Sequence, residues 1–197
     1  MVTELPQLLL PDAAAWRDWL ASHHASAPGV WLVLHRKGGN VTSLTYADAL
    51  DEALCVGWID GQSAKRDAES YQQRMTRRGP RSAWSARNVK RVARLERENR
   101  MQEAGMVAAR SAQADGRWQR AYEGSSTAVV PADLAAAIAA DPRAQEMFDV
   151  LTAANRYALI YRVNAVKRAE TRSRKIAQFV EMLARHEAPY SQKRMPG

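Results

Sequence analysis

The sequence predicts an α+β fold: a small antiparallel three-stranded sheet with helices in the N-terminal part, followed by an all-helical C-terminal part. Three observations carry this. Runs rich in β-branched and aromatic residues occur only before Arg77, and from Ser85 onward the apolar period becomes helical. A chain of 197 residues, 46% hydrophobic and 25% charged, can also bury a core without help from disulfides or metal. These proportions exclude wholesale disorder and a membrane-embedded body.

Each element has its own local reason. Asp12 is an N-cap for a helix that starts at Ala13, buries Trp16, Trp19 and Leu20 at i, i+3 and i+4, and stops near Pro28-Gly29. Val30–Arg36 is a central strand closed by the turn Lys37-Gly38-Gly39-Asn40. Thr45 caps a helix through Leu54 that Gly57 ends. Residues 58–63 and 71–76 form an antiparallel hairpin joined around Asp67 and Glu69. Helices then follow over 86–100 and 102–114, the latter ending at Gly116. A short Ala-rich helix begins at Pro131, another restarts at Asp141-Pro142, and 152–168 and 171–186 are long helical patterns. The expected organisation is an α+β domain over 1–123, a linker over 124–130 that includes Gly124-Ser125-Ser126-Thr127, a helical module over 131–190, and a flexible tail over 191–197.

The net charge of +8 is unevenly spread. Residues 1–62 sum to −4 and 121–160 to −3, whereas 63–120 sum to +9 and 161–197 to +6. Two basic blocks of this kind attract phosphate-bearing partners, or simply keep helices soluble. One cysteine and no Cys pair suit a reducing compartment, and Met1–Pro6 has no positive n-region, so a cytoplasmic protein with no membrane partner is expected. Cys55, between Leu54 and Val56, reads as a small buried hydrophobe. His23 and His24 point about 100° apart on a helix and do not chelate together, so no metal site is expected, nor any cofactor. The chain contains no HExxH, GxGxxG, Walker or Gly-x-Ser-x-Gly motif, which removes the reaction classes most readable from sequence.

One stretch mixes aromatic and hydrogen-bonding groups in the manner of a pocket wall. Between Gly57 and Asn88 lie Trp58, Asp60, Gln62, Arg74, Arg78, Arg81, Ser82, Trp84, Ser85 and Asn88. On this reading Trp58 and Trp84 are apolar walls, and Asp60 is the candidate catalytic residue, handling a proton or a cationic group. Arg74, Arg78 and Arg81 hold an acidic part of the ligand near the N-terminus of the helix that Ser85 caps. Gln62, Ser82, Ser85 and Asn88 complete the binding set. The alternative is purely structural: both indoles in the core, Asp60 paired across strands with Arg74, and Ser85 only a cap.

Four segments resemble the YdeI/OmpD-associated family. Residues 49–61 (ALDEALCVGWIDG) and 82–88 (SAWSARN) are similar to its N-terminal motifs, and 114–118 (ADGRW) with Ala121-Tyr122 is similar to its middle signature. Residues 165–172 (AVKRAETR) with Ile176 are similar to the C-terminal module labelled bacteriocin-protection. The likeness spans roughly 8–190, with Arg77 where a proline is usual and Met75 where an aromatic is usual. The resemblance implies a small soluble bacterial protein with a role in bacteriocin or antimicrobial protection, and it transfers no catalytic residue. The leading expectation is therefore a binding protein for a small, partly anionic molecule, with no reaction assigned. Nucleic-acid binding through the basic helical surfaces is the second expectation, and a protein-interaction module in the C-terminal helices the third.

Overall fold

A computed structural model of the chain describes residues 4–124, 128–166 and 168–196. The chain divides into two compact units, Met1–Ala121 and Tyr122–Gly197. The linker expected at 124–130 falls partly on residues 125–127, and the C-terminal motif includes Lys167; these four lie outside the described residues.

The first unit runs β1 (Gln7–Leu8), α1 (Ala13–His23), β2 (Val30–His35), α2 (Tyr46–Cys55), β3 (Trp58–Lys65), β4 (Ser70–Arg77), α3 (Ala86–Arg97) and α4 (Glu103–Ala114). Its sheet has the order β1-β2-β4-β3, so the expected three strands are four, and the sheet is not wholly antiparallel. The additional strand is β1, which pairs in parallel with β2 through Gln7↔Trp31 and Leu8↔Leu32. A strand of two residues is too short to show alternation, so its sequence gives no periodic signal. β2 and β3 each pair antiparallel with β4, and a bulge interrupts the hairpin between Asp60 and Ser63. Asp67 makes the hairpin turn, its Oδ1 accepting from the backbone N–H groups of Glu69 (2.9 Å) and Ser70 (2.7 Å).

Caps start the helices where small polar side chains precede them. Asp12 accepts from the Ala15 N–H, Thr45 from Asp48, Ser85 from Asn88, Asp141 from Ala144 and Thr152 from Asn155. The sheet and α1 enclose a core of Trp16, Leu20, Leu32, Leu34, Trp58 and Met75. A second core joins Leu54 and Cys55 of α2 to Trp84, Val92, Leu95 and Ala109. α2 is consequently buried from Ala49 to Cys55, Asp51 and Glu52 included. Buried carboxylates need partners. Asp51 takes Arg91 (2.6 Å) and Arg94, and Glu52 takes Arg17 (2.6 Å) and Arg100 (2.7 Å). Four of the arginines that make the chain basic thereby fasten α1, α3 and the segment after α3 onto α2.

The second unit contains α5 (Ala132–Ala139), α6 (Pro142–Val150), α7 (Ala153–Asn164) and α8 (Ala169–Ala184). Leu134, Ile138, Met147, Leu159, Val163, Phe179 and Leu183 form its core. Arg172 of α8 grips Asp133 of α5 through two hydrogen bonds, 2.6 and 2.9 Å, and this guanidinium holds the Asp133 carboxyl below its usual range. Asn155, with no exposed surface, donates to the Tyr190 carbonyl (3.0 Å) and to Gln192 Oε1 (2.9 Å), and accepts from the Tyr190 N–H (2.8 Å). Among the described residues no helix is long and apolar enough to cross a membrane.

Cys55 is 2% exposed in the second core of the first unit. Burial, reinforced by the charge of Glu52, pushes its thiol from 9.0 up to about 11. The folded chain therefore keeps this proton longer than the unfolded one, so stability is unaffected below pH 9 and falls as pH rises toward 11. Denaturation of wild type and Cys55→Ala between pH 9 and 11 is expected to show an alkaline loss smaller by roughly 2–3 kcal/mol in the variant. Equal losses would remove the thiol as the cause.

Candidate functional site

The bend between β4 and α3 begins when the Arg78 N–H donates to the Gly57 carbonyl (3.0 Å), and it tightens where the Ser82 N–H donates to Gly79 (3.0 Å). After α4, Gly116 adopts φ +76°, a left-handed turn suited to a residue without Cβ, and returns Arg117 and Trp118 toward this bend. Arg117 donates to the Ser82 carbonyl (3.1 Å), to Ser111 Oγ (3.3 Å) and to the Asp115 carboxylate (2.7 Å). Trp118 lies 4.8 Å from Trp84, centroid to centroid, and the Arg78 guanidinium lies 3.7 Å from the Trp84 ring centroid. A guanidinium on an indole face is held in orientation by cation–π attraction. Arg78 also donates to the Ala83 carbonyl (2.9 Å).

These contacts shape a groove of about 430 Å³. Its apolar surface comes from Val56, Ala104, Val107 and Ala108, while Arg77, Arg78 and Arg117 supply three guanidinium groups. Val107 is 52% exposed although apolar. Arg77 is anchored by a bond to the Ala25 carbonyl (3.1 Å). Arg77 and Arg78, with the Arg117–Asp115 pair beside them, around an apolar surface suit a molecule with a hydrocarbon part and an acidic end.

The residues expected to form one site are distributed over several places. Arg78 lines the groove, with Trp84 and Ser82 directly behind it. Trp58 has no exposed surface and packs edge-on against Trp16 and Trp19, which puts it in the core and not at a wall. Asp60 accepts from the Tyr46 hydroxyl (2.6 Å), and burial together with this bond raises the Tyr46 phenol well above its usual range. The Asp60–Arg74 pair of the structural alternative is not formed among the described residues; Asp60 stands opposite Met75 in register. Arg74 points to the exposed side of β4, its side chain over Gly61, and Gln62 and Arg81 are exposed as well. Ser85 caps α3 and Asn88 is buried in the first turn of that helix.

Two models of known families match the chain. Residues 8–108 match one described as a domain of unknown function, DUF8412, and this stretch is just over half of the sequence. The chain belongs to the DUF8412 family. Residues 127–186 match a second model, described as bacteriocin-protection, YdeI or OmpD-associated. The resemblance read over roughly 8–190 is thus shown for 127–186, whereas the motifs at 49–61 and 82–88 fall inside the DUF8412 match. No curated protein and no solved structure matches the chain.

The DUF8412 match covers the sheet from Leu8 onward, the bend at 77–80 and the groove-facing residues of α4 up to Ala108. Ser111 and Arg117 lie beyond it. Arg117 was missing from the expected site because it is thirty-five positions from Ser82, the residue whose carbonyl it bonds. The signal that finds it is Gly116 immediately after a helix, which turns the chain back. A second basic feature of this DUF8412 unit lies along α3, where Arg87, Lys90, Arg91, Arg94 and Arg97 line a shallow depression of about 480 Å³.

Proposed function

We propose that the first unit binds a small molecule with an apolar body and an anionic end in the groove between the 77–80 bend and α4. The observation that carries this is the convergence of Arg77, Arg78 and Arg117 on a surface that also exposes Val107. Stacking on Trp84 and hydrogen bonds to backbone carbonyls hold these cations in place, which lowers the ordering cost of binding. The proposed setting is cytoplasmic, and the proposed role is in the bacteriocin protection named in the description of the family model that matches residues 127–186. Octanoate is a suitable probe. At ten times its dissociation constant it is expected to raise the melting temperature of the full chain by about 3–5 °C. That rise is lost in the double variant Arg77→Gln/Arg78→Gln and retained in Arg162→Gln. An identical response from wild type and the double variant would overturn the reading.

The five cations along α3 favour a second reading, binding of a phosphate polymer. Arg91 and Arg94 are already paired with Asp51, and Arg94 also with Glu98, which leaves Arg87, Lys90 and Arg97 of the face to act on a partner. Salt-sensitive binding of a DNA duplex that disappears in Lys90→Gln/Arg97→Gln, with no octanoate response, would select this reading over the first.

A further inference from the structure

In the second unit, Ala154, Tyr157, Ala158 and Tyr161 occupy positions i, i+3, i+4 and i+7 of α7 and so share one face. Alanines alternating with tyrosines along this face leave a recess. It is closed by Tyr190 and Arg162 into a hollow of about 360 Å³, within the size range of small-molecule sites of ~300–1,000 Å³. Tyr190 is fixed although 55% exposed, because its backbone N–H and carbonyl are both bonded to the buried side chain of Asn155. The Tyr157 hydroxyl donates to the Glu123 carbonyl (3.0 Å). Tyr122 meets Tyr161 edge-on at 5.3 Å, and Tyr157 lies 5.9 Å from Tyr161. The rings are thereby braced before any ligand arrives. Among the described residues no carboxylate lines the hollow, and Arg162, the charged residue among its lining, reaches over the Tyr190 ring at 5.7 Å.

We propose that this hollow binds a small planar aromatic molecule bearing an acidic group, its ring against the tyrosines and its anion on Arg162. Ring faces favour aromatic over saturated ligands, since offset and edge-on ring pairs are stronger than their buried area alone accounts for. Tyrosine cages also attract ammonium groups, but here Arg162 already occupies that role and repels a second cation. A free aryl carboxylate and a nucleoside monophosphate share this chemistry. The site is separate from the groove of the first unit and stands or falls independently of it.

The test is calorimetric titration of the full chain with salicylate and with AMP. Cyclohexanecarboxylate and phenyltrimethylammonium serve as comparisons. Saturable binding is expected for one or both aromatic anions, and which of them binds more tightly identifies the source. Cyclohexanecarboxylate should bind at least tenfold more weakly. Arg162→Gln and Tyr161→Ala should each weaken the aromatic anion tenfold or more, Arg162→Lys should recover part of the loss, and Arg77→Gln/Arg78→Gln should change nothing. Both side chains are substantially exposed or on the unit's surface, and circular dichroism of each variant checks that it is folded. The proposal is overturned by absence of saturation up to about 10 mM of either anion, the weak limit of useful affinity. Undiminished binding in Arg162→Gln, preference for the ammonium compound, or a single-stranded oligonucleotide binding far more tightly than AMP would each overturn it too.

Discussion

Replacing Trp58 with alanine is expected to lower the stability of the first unit by about 4 kcal/mol, the size of effect seen when a fully buried large aromatic is deleted. Trp58 opens β3 with no exposed surface, 6.3 Å from Trp16 and 5.9 Å from Trp19 by ring centroid, both contacts close to perpendicular. Its Nε1–H donates to the His24 carbonyl (3.0 Å) just past the end of α1, so the indole locks the end of that helix to the start of the strand. Alanine leaves a cavity the size of an indole between α1 and the sheet and strips that carbonyl of its donor. Trp58→Phe keeps most of the volume and is expected to cost about half as much. Urea denaturation followed by far-UV circular dichroism measures both, and the transition of the second unit provides an internal reference that should not move. A loss below about 0.5 kcal/mol, the ordinary range of surface substitutions, would return Trp58 to a role at a ligand-facing wall.

Trp58 also illustrates what one sequence can tell. Local signals were readable because they act within a few residues: the caps at Asp12, Thr45, Ser85 and Asp141, and the apolar faces of the helices, all stand where side-chain type and spacing put them. Whether an indole lines a hollow or fills a core depends on what covers it, and here the cover is Trp16 and Trp19, about forty positions away. The same limit hid the partners of Asp51 and Glu52, which come from 35 to 48 positions away. The placement of Arg74, in contrast, follows from the pleat. Gln73 and Met75 are buried on β4, so the residue between them faces the other side of the sheet. Asp60 stands opposite Met75 in the regular register that starts at Trp58↔Arg77, and so on the other face of the sheet from Arg74. Of the expected arginines only Arg78 reaches the groove, because it follows the strand and belongs to the bend.

Gly105→Ala is expected to cost the first unit about 3 kcal/mol, the upper end for overpacking, even though alanine in place of glycine inside a helix ordinarily gains about 1 kcal/mol. The reversed sign comes from one close approach. A Cβ at position 105 would lie 2.3 Å from the Cys55 carbonyl oxygen and 2.7 Å from that of Leu54, both backbone atoms at the end of α2. No side-chain rotation relieves such a clash, so α4 must move away as a body. The contact is confirmed from the other side: Gly57, at φ +76°, would bring a Cβ to 2.9 Å from the Ala104 carbonyl oxygen, and the Gln102 N–H donates to the Cys55 carbonyl (2.9 Å). Because α4 also carries Ala104, Val107, Ala108 and Ser111 of the groove, its displacement separates them from Arg77 and Arg78. Gly105→Ala should therefore reduce stability and octanoate binding together. Gly79→Ala provides the contrast, since its Cβ would meet only Ser82 Oγ at 3.4 Å, and it is expected to change stability by less than about 0.5 kcal/mol. Thermal and urea denaturation of the two variants side by side decides the matter, and a Gly105→Ala protein as stable as wild type would mean that α2 and α4 do not approach as closely as the groove requires.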